Sequence, residues 1–197
     1  MTELCKRAFG YRTEWHAFAL NQLGITLMCD NQSTRALQCF LESLDIRRYL
    51  WGENELTAVE YNNIGCAYDA IGEWMIGNTY LMKALEIRKS KLGDHEDTAE
   101  SYCNIANNLM NMQRNNEALI YARKSIAIRN RIGDNFKKAY SLNNLALIYN
   151  NLDEKGRAMS LLDKAIRILN SFGWTESMEI QTMKVNRNHI DEQNLNT

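Results

Sequence analysis

Asn62-Asn63-Ile64-Gly65-Cys66-Ala67-Tyr68 and, one polar turn later, Lys83-Ala84-Leu85-Glu86-Ile87-Arg88 are two halves of a unit that recurs along this chain of 197 residues. Aligned on Ile64-Gly65, the first half returns as Leu23-Gly24, Ile105-Ala106 and Leu145-Ala146. Three residues before each pair stands Leu20, Tyr61, Tyr102 or Leu142, and four after its first member stands Leu27, Tyr68, Leu109 or Tyr149. That i, i+3, i+7 spacing marks one face of a helix, so these residues are candidate core. The second half returns as a small residue (Ala36, Gly77, Ala118, Ala158), then Phe40, Leu81, Ala122 and Leu162, then Leu44, Leu85, Ile126 and Ile166. Small residues let two helices approach, and large ones fill the grooves between them.

Glycines set the period. Gly10, Gly52, Gly93, Gly133 and Gly173 are 42, 41, 40 and 40 residues apart, each after an apolar residue. A glycine there ends a helix in a conformation other residues resist. Shorter polar turns fall at Asp30 to Gln32, Gly72-Glu73, Gln113 to Asn115 and Asp153-Glu154. One helix pair of this size cannot bury its apolar face alone, so the pairs stack. The spacing predicts one domain over residues 1–190 with four repeats, about 11–52, 53–93, 94–133 and 134–173. Residues 3–9 read as the tail of a preceding second helix, residues 174–190 as a lone capping helix, and 191–197 as a disordered tail.

Composition narrows the function. Apolar residues make up 45% and charged residues 24%, the balance of a globular chain. A net charge of −1 provides no field for nucleic acid, and no apolar run is long enough for membrane insertion. Proline is absent, which disfavours a sandwich or barrel with proline-rich turns. Five cysteines, an odd number with no CxxC pair, fit a reducing compartment, so the expected location is cytoplasmic.

The pattern of aromatic or Leu, Leu-Gly, Tyr, Ala, a large apolar residue and a second Ala resembles the tetratricopeptide repeat. The unit exceeds the common 34 residues, and the usual proline after the second helix is missing. Both departures resemble the long-repeat subclass of kinesin light chains and bacterial signalling arrays. The resemblance implies an all-α, right-handed superhelical solenoid of antiparallel helix pairs, with about four full repeats plus partial terminal units. It implies no cofactor and no enzymatic activity.

The sharpest functional signal lies just before each apolar-small pair: Asn21-Gln22, Asn62-Asn63, Cys103-Asn104 and Asn143-Asn144. Six of these eight positions are Asn, although 23 Asn in 197 residues would place about one there by chance. A carboxamide donates and accepts, so it can pair with both groups of an extended peptide backbone. By resemblance, such asparagines line the inner groove and grip peptides. The expected peptide-binding ladder is Asn21, Gln22, Asn62, Asn63, Asn104, Asn143 and Asn144, with side-chain pockets from Phe18, Ile25, Met28, Val59, Met110, Tyr140 and Leu147. The competing reading is that the amides bond only to neighbouring helices or to water. A carboxylate clamp is disfavoured, because Asn21, Asn62, Cys103 and Asn143 lead the pairs and none is basic.

Other patterns carry less. Arg47, Arg88 and Arg129 suit helix C-termini and read as solvated side chains pairing with linker acids such as Glu53, Asp94, Glu96 and Asp134, in preference to a row for a phosphorylated or acidic partner. Cys29, Cys66 and Cys103 read as small buried residues rather than metal ligands. His16, His95 and His189 are scattered, and no catalytic motif is present. The expected partner is a protein or peptide. The alternative is a regulatory array that meets a folded partner or neighbouring domain through its outer surface. Exposed end helices also offer a surface to a second copy, giving a homodimer.

Overall fold

The computed structural model describes residues 12–195, with side chains through 192; residues 3–9, Gly10 and the last two residues lie outside this range. Nine helices occupy the described residues: α1 (Glu14–Cys29), α2 (Ser33–Trp51), α3 (Glu55–Ala70), α4 (Trp74–Leu92), α5 (Glu96–Asn111), α6 (Asn115–Ile132), α7 (Asn135–Asn151), α8 (Lys155–Ser171) and α9 (Met178–Leu195). The chain divides at Gly93/Asp94 into two compact units, where the periodicity predicts a single domain. In a repeat array each pair leans only on its neighbours, so any pair boundary is a natural place for such a division.

Unit 1 holds the pairs α1–α2 and α3–α4, and α2 also packs on α3. Its core gathers Leu27, Phe40, Leu44, Tyr61, Ile64 and Ala84, all under a tenth exposed. Full burial of one such Ile or Leu stabilises by about 1.5–3 kcal/mol. Gly24 and Gly65 are present because a Cβ there would meet the Phe40 ring at 2.5 Å and Leu81 Cγ at 2.6 Å. Leu23 departs from the pattern. Its counterpart Ile64 is fully buried against α2, whereas Leu23 is 43% exposed. α1 has no preceding second helix among the described residues.

Unit 2 holds α5–α6 and α7–α8, with α6 on α7 and α9 on α8. Ile105, Leu142, Leu162 and Leu169 fill its core. α9 begins at Met178 rather than 174 and continues to Leu195, through most of the segment expected to be a disordered tail. Asp191-Glu192-Gln193 contains no helix breaker, and Ile190 is 1% exposed, so the helix has both propensity and an anchor.

All four turns within the pairs use one device. Asn31, Gly72, Gln113 and Asp153 take φ of 58°, 86°, 61° and 60°. The next N–H then reaches back five residues: Gln32 to the Leu27 carbonyl, Glu73 to Tyr68, Arg114 to Leu109 and Glu154 to Tyr149, at 2.8–2.9 Å. This is the Schellman closure, which satisfies helix-end carbonyls and reverses the chain.

Candidate functional site

The first helix of each pair carries an open stripe beside its core stripe. On α1 it runs Phe18, Gln22, Ile25 and Cys29, and on α3 Val59, Asn63 and Cys66. In unit 2 it runs Glu100, Asn104 and Asn107 on α5, and Tyr140, Asn144 and Leu147 on α7. α1 lies beside α3, and α5 beside α7.

The structure separates the paired carboxamides. The leading members face neighbouring helices: Asn21 is 4% exposed and Asn62 3%. Asn21 Nδ2 donates to both carboxylate oxygens of Glu60, at 3.0 and 3.1 Å. Asn21 is therefore a brace between α1 and α3 rather than an open rung. The trailing members face outward: Gln22 is exposed, and Asn63, Asn104 and Asn144 are half-buried. α7 differs, because both of its amides are half-buried and joined. Asn143 Nδ2 donates to Asn144 Oδ1 at 3.4 Å, and Asn144 Nδ2 donates to Cys103 Sγ at 3.1 Å. Three amide atoms on the first helices are buried without a hydrogen-bond partner among the described residues: Asn63 Nδ2, Asn143 Oδ1 and Asn150 Oδ1.

The expected pockets also divide. Phe18 and Ile25 are 48% and 42% exposed on either side of Gln22. Val59, Met110, Tyr140 and Leu147 are half-buried. Met28 instead packs against the unit 1 core, because position 28 is one helical step from the buried Leu27. Tyr140 stands edge-on to Phe136 at 5.7 Å, and burial together with the nearby Glu179 carboxylate pushes its hydroxyl pKa up.

Behind the stripes lie two buried polar knots in the same register. In unit 1, Ser43 Oγ donates to Glu60 Oε1 at 2.7 Å and to the Ala17 carbonyl at 2.9 Å. Arg47 Nη1 lies 3.0 Å from Glu60 Oε1, and its Nη2 3.4 Å from Glu14. In unit 2 the corresponding positions are Ser125, Ser141, Cys103 and Arg129. The two hydroxyls are 3.0 Å apart, Ser141 reaches Cys103 Sγ at 3.8 Å, and Arg129 Nη1 pairs with Asp134 at 2.8 Å. Burial pushes the Cys103 thiol pKa up, against the bonds from Asn144 and Ser141.

These knots revise two readings. Arg47, Arg88 and Arg129 are each 4% exposed, so they are interior groups and not solvated ones. Arg129 does meet Asp134, whereas Arg47 meets Glu60 and Glu14, and Glu53 belongs to Arg48 at 3.0 Å. Cys29 is exposed rather than buried, while Cys103 is buried. The sequence signal for the knots was present as Ser43-to-Arg47 and Ser125-to-Arg129, serine four residues before arginine in register. Among the described residues, no group of three or more His, Cys, Asp or Glu is placed to hold a metal, and no helix is long and apolar enough to cross a membrane.

Two family models, both described as tetratricopeptide repeat, match residues 97–171 and 19–53, together more than half of the chain. A search of curated proteins finds no match. Among solved structures, BtubC (BKLC) from P. vanneervenii superposes with a TM-score of 0.79 at 16% identity, over 97% of this chain and 78% of that one. A putative kinesin light chain from Podosopora anserina with nearly identical TPR-like repeats gives 0.74 at 16% identity, over 92% and 88%. A Rap protein complexed with Competence and Sporulation Factor gives 0.80 at 14% identity, with this chain spanning 92% of its own length and 50% of that protein. At these identities the likeness is one of fold.

Proposed function

The chain is a tetratricopeptide-repeat protein, and from that premise we propose that it is a non-enzymatic interaction module whose units each hold an extended peptide segment along their first-helix stripes. The observation that carries this reading is the exposed Gln22 set between Phe18 and Ile25 on α1, with the half-buried Asn63, Asn104 and Asn144 at the same register on the other first helices. A carboxamide that braces the fold turns inward, as Asn21 does towards Glu60. A side-chain amide carries both an N–H and a C=O, the complements of a peptide's C=O and N–H. Phe18, Ile25, Val59, Tyr140 and Leu147 then read alternate side chains. The Rap protein solved with its factor supplies a precedent on a similar fold.

A displayed random-peptide library, followed by anisotropy titration of the selected peptide, tests the reading. Gln22→Ala with Asn63→Ala should weaken a peptide held by unit 1, and Asn104→Ala with Asn143→Ala one held by unit 2, at least about tenfold, or 1.4 kcal/mol, while far-UV circular dichroism is unchanged. Selected peptides that bind both double variants as tightly as the parent would refute it.

A further inference from the structure

Unit 1 has a second concavity, which the carboxamide stripes do not use. It encloses about 430 Å³ between the end of α2 and the second half of α4, and Tyr61 of α3 forms part of its wall. Tyr61 is two residues from Asn63, about 200° around the helix, so this cleft and the open stripe belong to opposite sides of α3.

Its charges fall into two sets. Arg48, Glu53 and Tyr61 satisfy one another: Arg48 Nε lies 3.0 Å from Glu53 Oε1, and the Tyr61 hydroxyl donates to the same oxygen at 2.8 Å. Burial and Glu53 push the Tyr61 pKa up to about 12, so the ring stays neutral and adds no negative charge. The second set has no ion pair among the described residues. Lys83 Nζ rests 5.6 Å from the Tyr61 ring centre and 5.7 Å from that of Tyr80, and no described carboxylate pairs with it. Lys91 lines the same cleft and, among the described residues, has no hydrogen bond or ion pair; Glu86 is the one lining acid without an ion pair among them. Among the described residues the charge left without an opposite partner is therefore two positive against one negative.

We propose that this cleft is a second docking site, which takes an aspartate or glutamate side chain from an acidic segment of a protein partner between Lys83 and Lys91. A carboxylate brings one negative charge, matching the surplus. A phosphate would bring nearly two and face Glu86, and the guanidinium that could grip it in a bidentate fork, Arg48, is already held by Glu53. The Tyr61 ring and Ile87 offer apolar surface to the methylene groups of the acidic side chain.

The test uses the full chain labelled with ¹⁵N and a decapeptide of alternating Asp and Gly, with its Asn-Gly counterpart and a version carrying one phosphoserine. The Asp peptide should shift backbone amide signals in 83–91 and 48–53 and leave those of Gln22 and Asn63 in place. Lys83→Gln with Lys91→Gln should weaken that binding about tenfold, as should added salt in a graded way. Both lysines are exposed, so the variant should keep its unfolding midpoint; if it does not, Lys91→Gln alone serves. The site is refuted if the Asn peptide binds equally, if the variant binds unchanged, or if no signals in this region move. Clearly tighter binding of the phosphoserine peptide through the same signals overturns the carboxylate assignment. Shifts confined to the open stripes would refute the cleft while leaving the carboxamide reading intact.

Discussion

Glu60 has no exposed surface, yet side chains from two neighbouring helices, α1 and α2, converge on its carboxylate. Asn21, Ser43 and Arg47 supply four contacts of 2.7–3.1 Å. Removing Asn21 leaves a buried carboxylate short of its amide donors, so Asn21→Ala should cost about 1–3 kcal/mol in urea unfolding, although Asn21 looks in sequence like a binding residue. An unchanged midpoint would show that the brace carries no load. The same group makes stability depend on pH. Burial raises the Glu60 pKa and outweighs the opposing pull of Ser43, Asn21 and Arg47. An acid whose folded pKa lies above its unfolded value binds more protons when folded, within the window between the two. Its contribution is full below the unfolded value and declines as pH climbs through the folded one. Stability of the parent should therefore fall relative to Glu60→Gln as pH rises from the ordinary carboxylate range. A flat difference across stepped-pH unfolding curves would contradict this.

At the level of elements, glycines serve two purposes, one within a helix pair and one between pairs. Gly65 is a packing glycine, because Leu81 occupies the space a Cβ would need. Gly65→Ala should cost about 1–3 kcal/mol through overpacking. Gly52 has open space around it but takes φ 66° and ψ −152°, near a region reserved for glycine. Gly133 takes φ 74° and ψ 14°, the left-handed region that other residues enter at lower cost. Alanine at Gly52 should therefore lower the thermal midpoint more than alanine at Gly133. Equal losses would mean that the two linkers adjust to the same conformation.

For the whole molecule, local coupling decides how stability is distributed. Within each unit the two pairs touch, and α9 closes unit 2 through Ile180, Met183 and Ile190, which are at most 2% exposed. A terminal helix has a neighbour on one side only, so its amides should open at lower free energy than those of α6 and α7. Native-state hydrogen exchange should show α9 exchanging ahead of them, and a uniform rate across unit 2 would count against that distribution. In unit 1 the carboxamide stripe and the Lys83–Lys91 cleft lie on different faces of α3, so substitutions in one leave the other in place.

The period, the helix pairs, the turns and the large residues of the core stripes were legible in the amino-acid spacing, although buried positions such as Ala17, Ala58, Ile148 and Leu169 were not singled out by it. Those features depend on residues close together in the chain, where helical spacing and backbone conformation are local matters. Which of two adjacent carboxamides turns inward depended on helix packing. Neighbours on a helix differ by about 100°, so Asn21-Gln22 and Asn62-Asn63 straddle the edge of the buried face, and the packing of the next helix draws that line. The burial of Arg47 and Arg129, the exposure of Leu23 and the interior carboxylate of Glu60 follow from the same cause: each depends on what the neighbouring helix presents, which spacing along one chain does not encode.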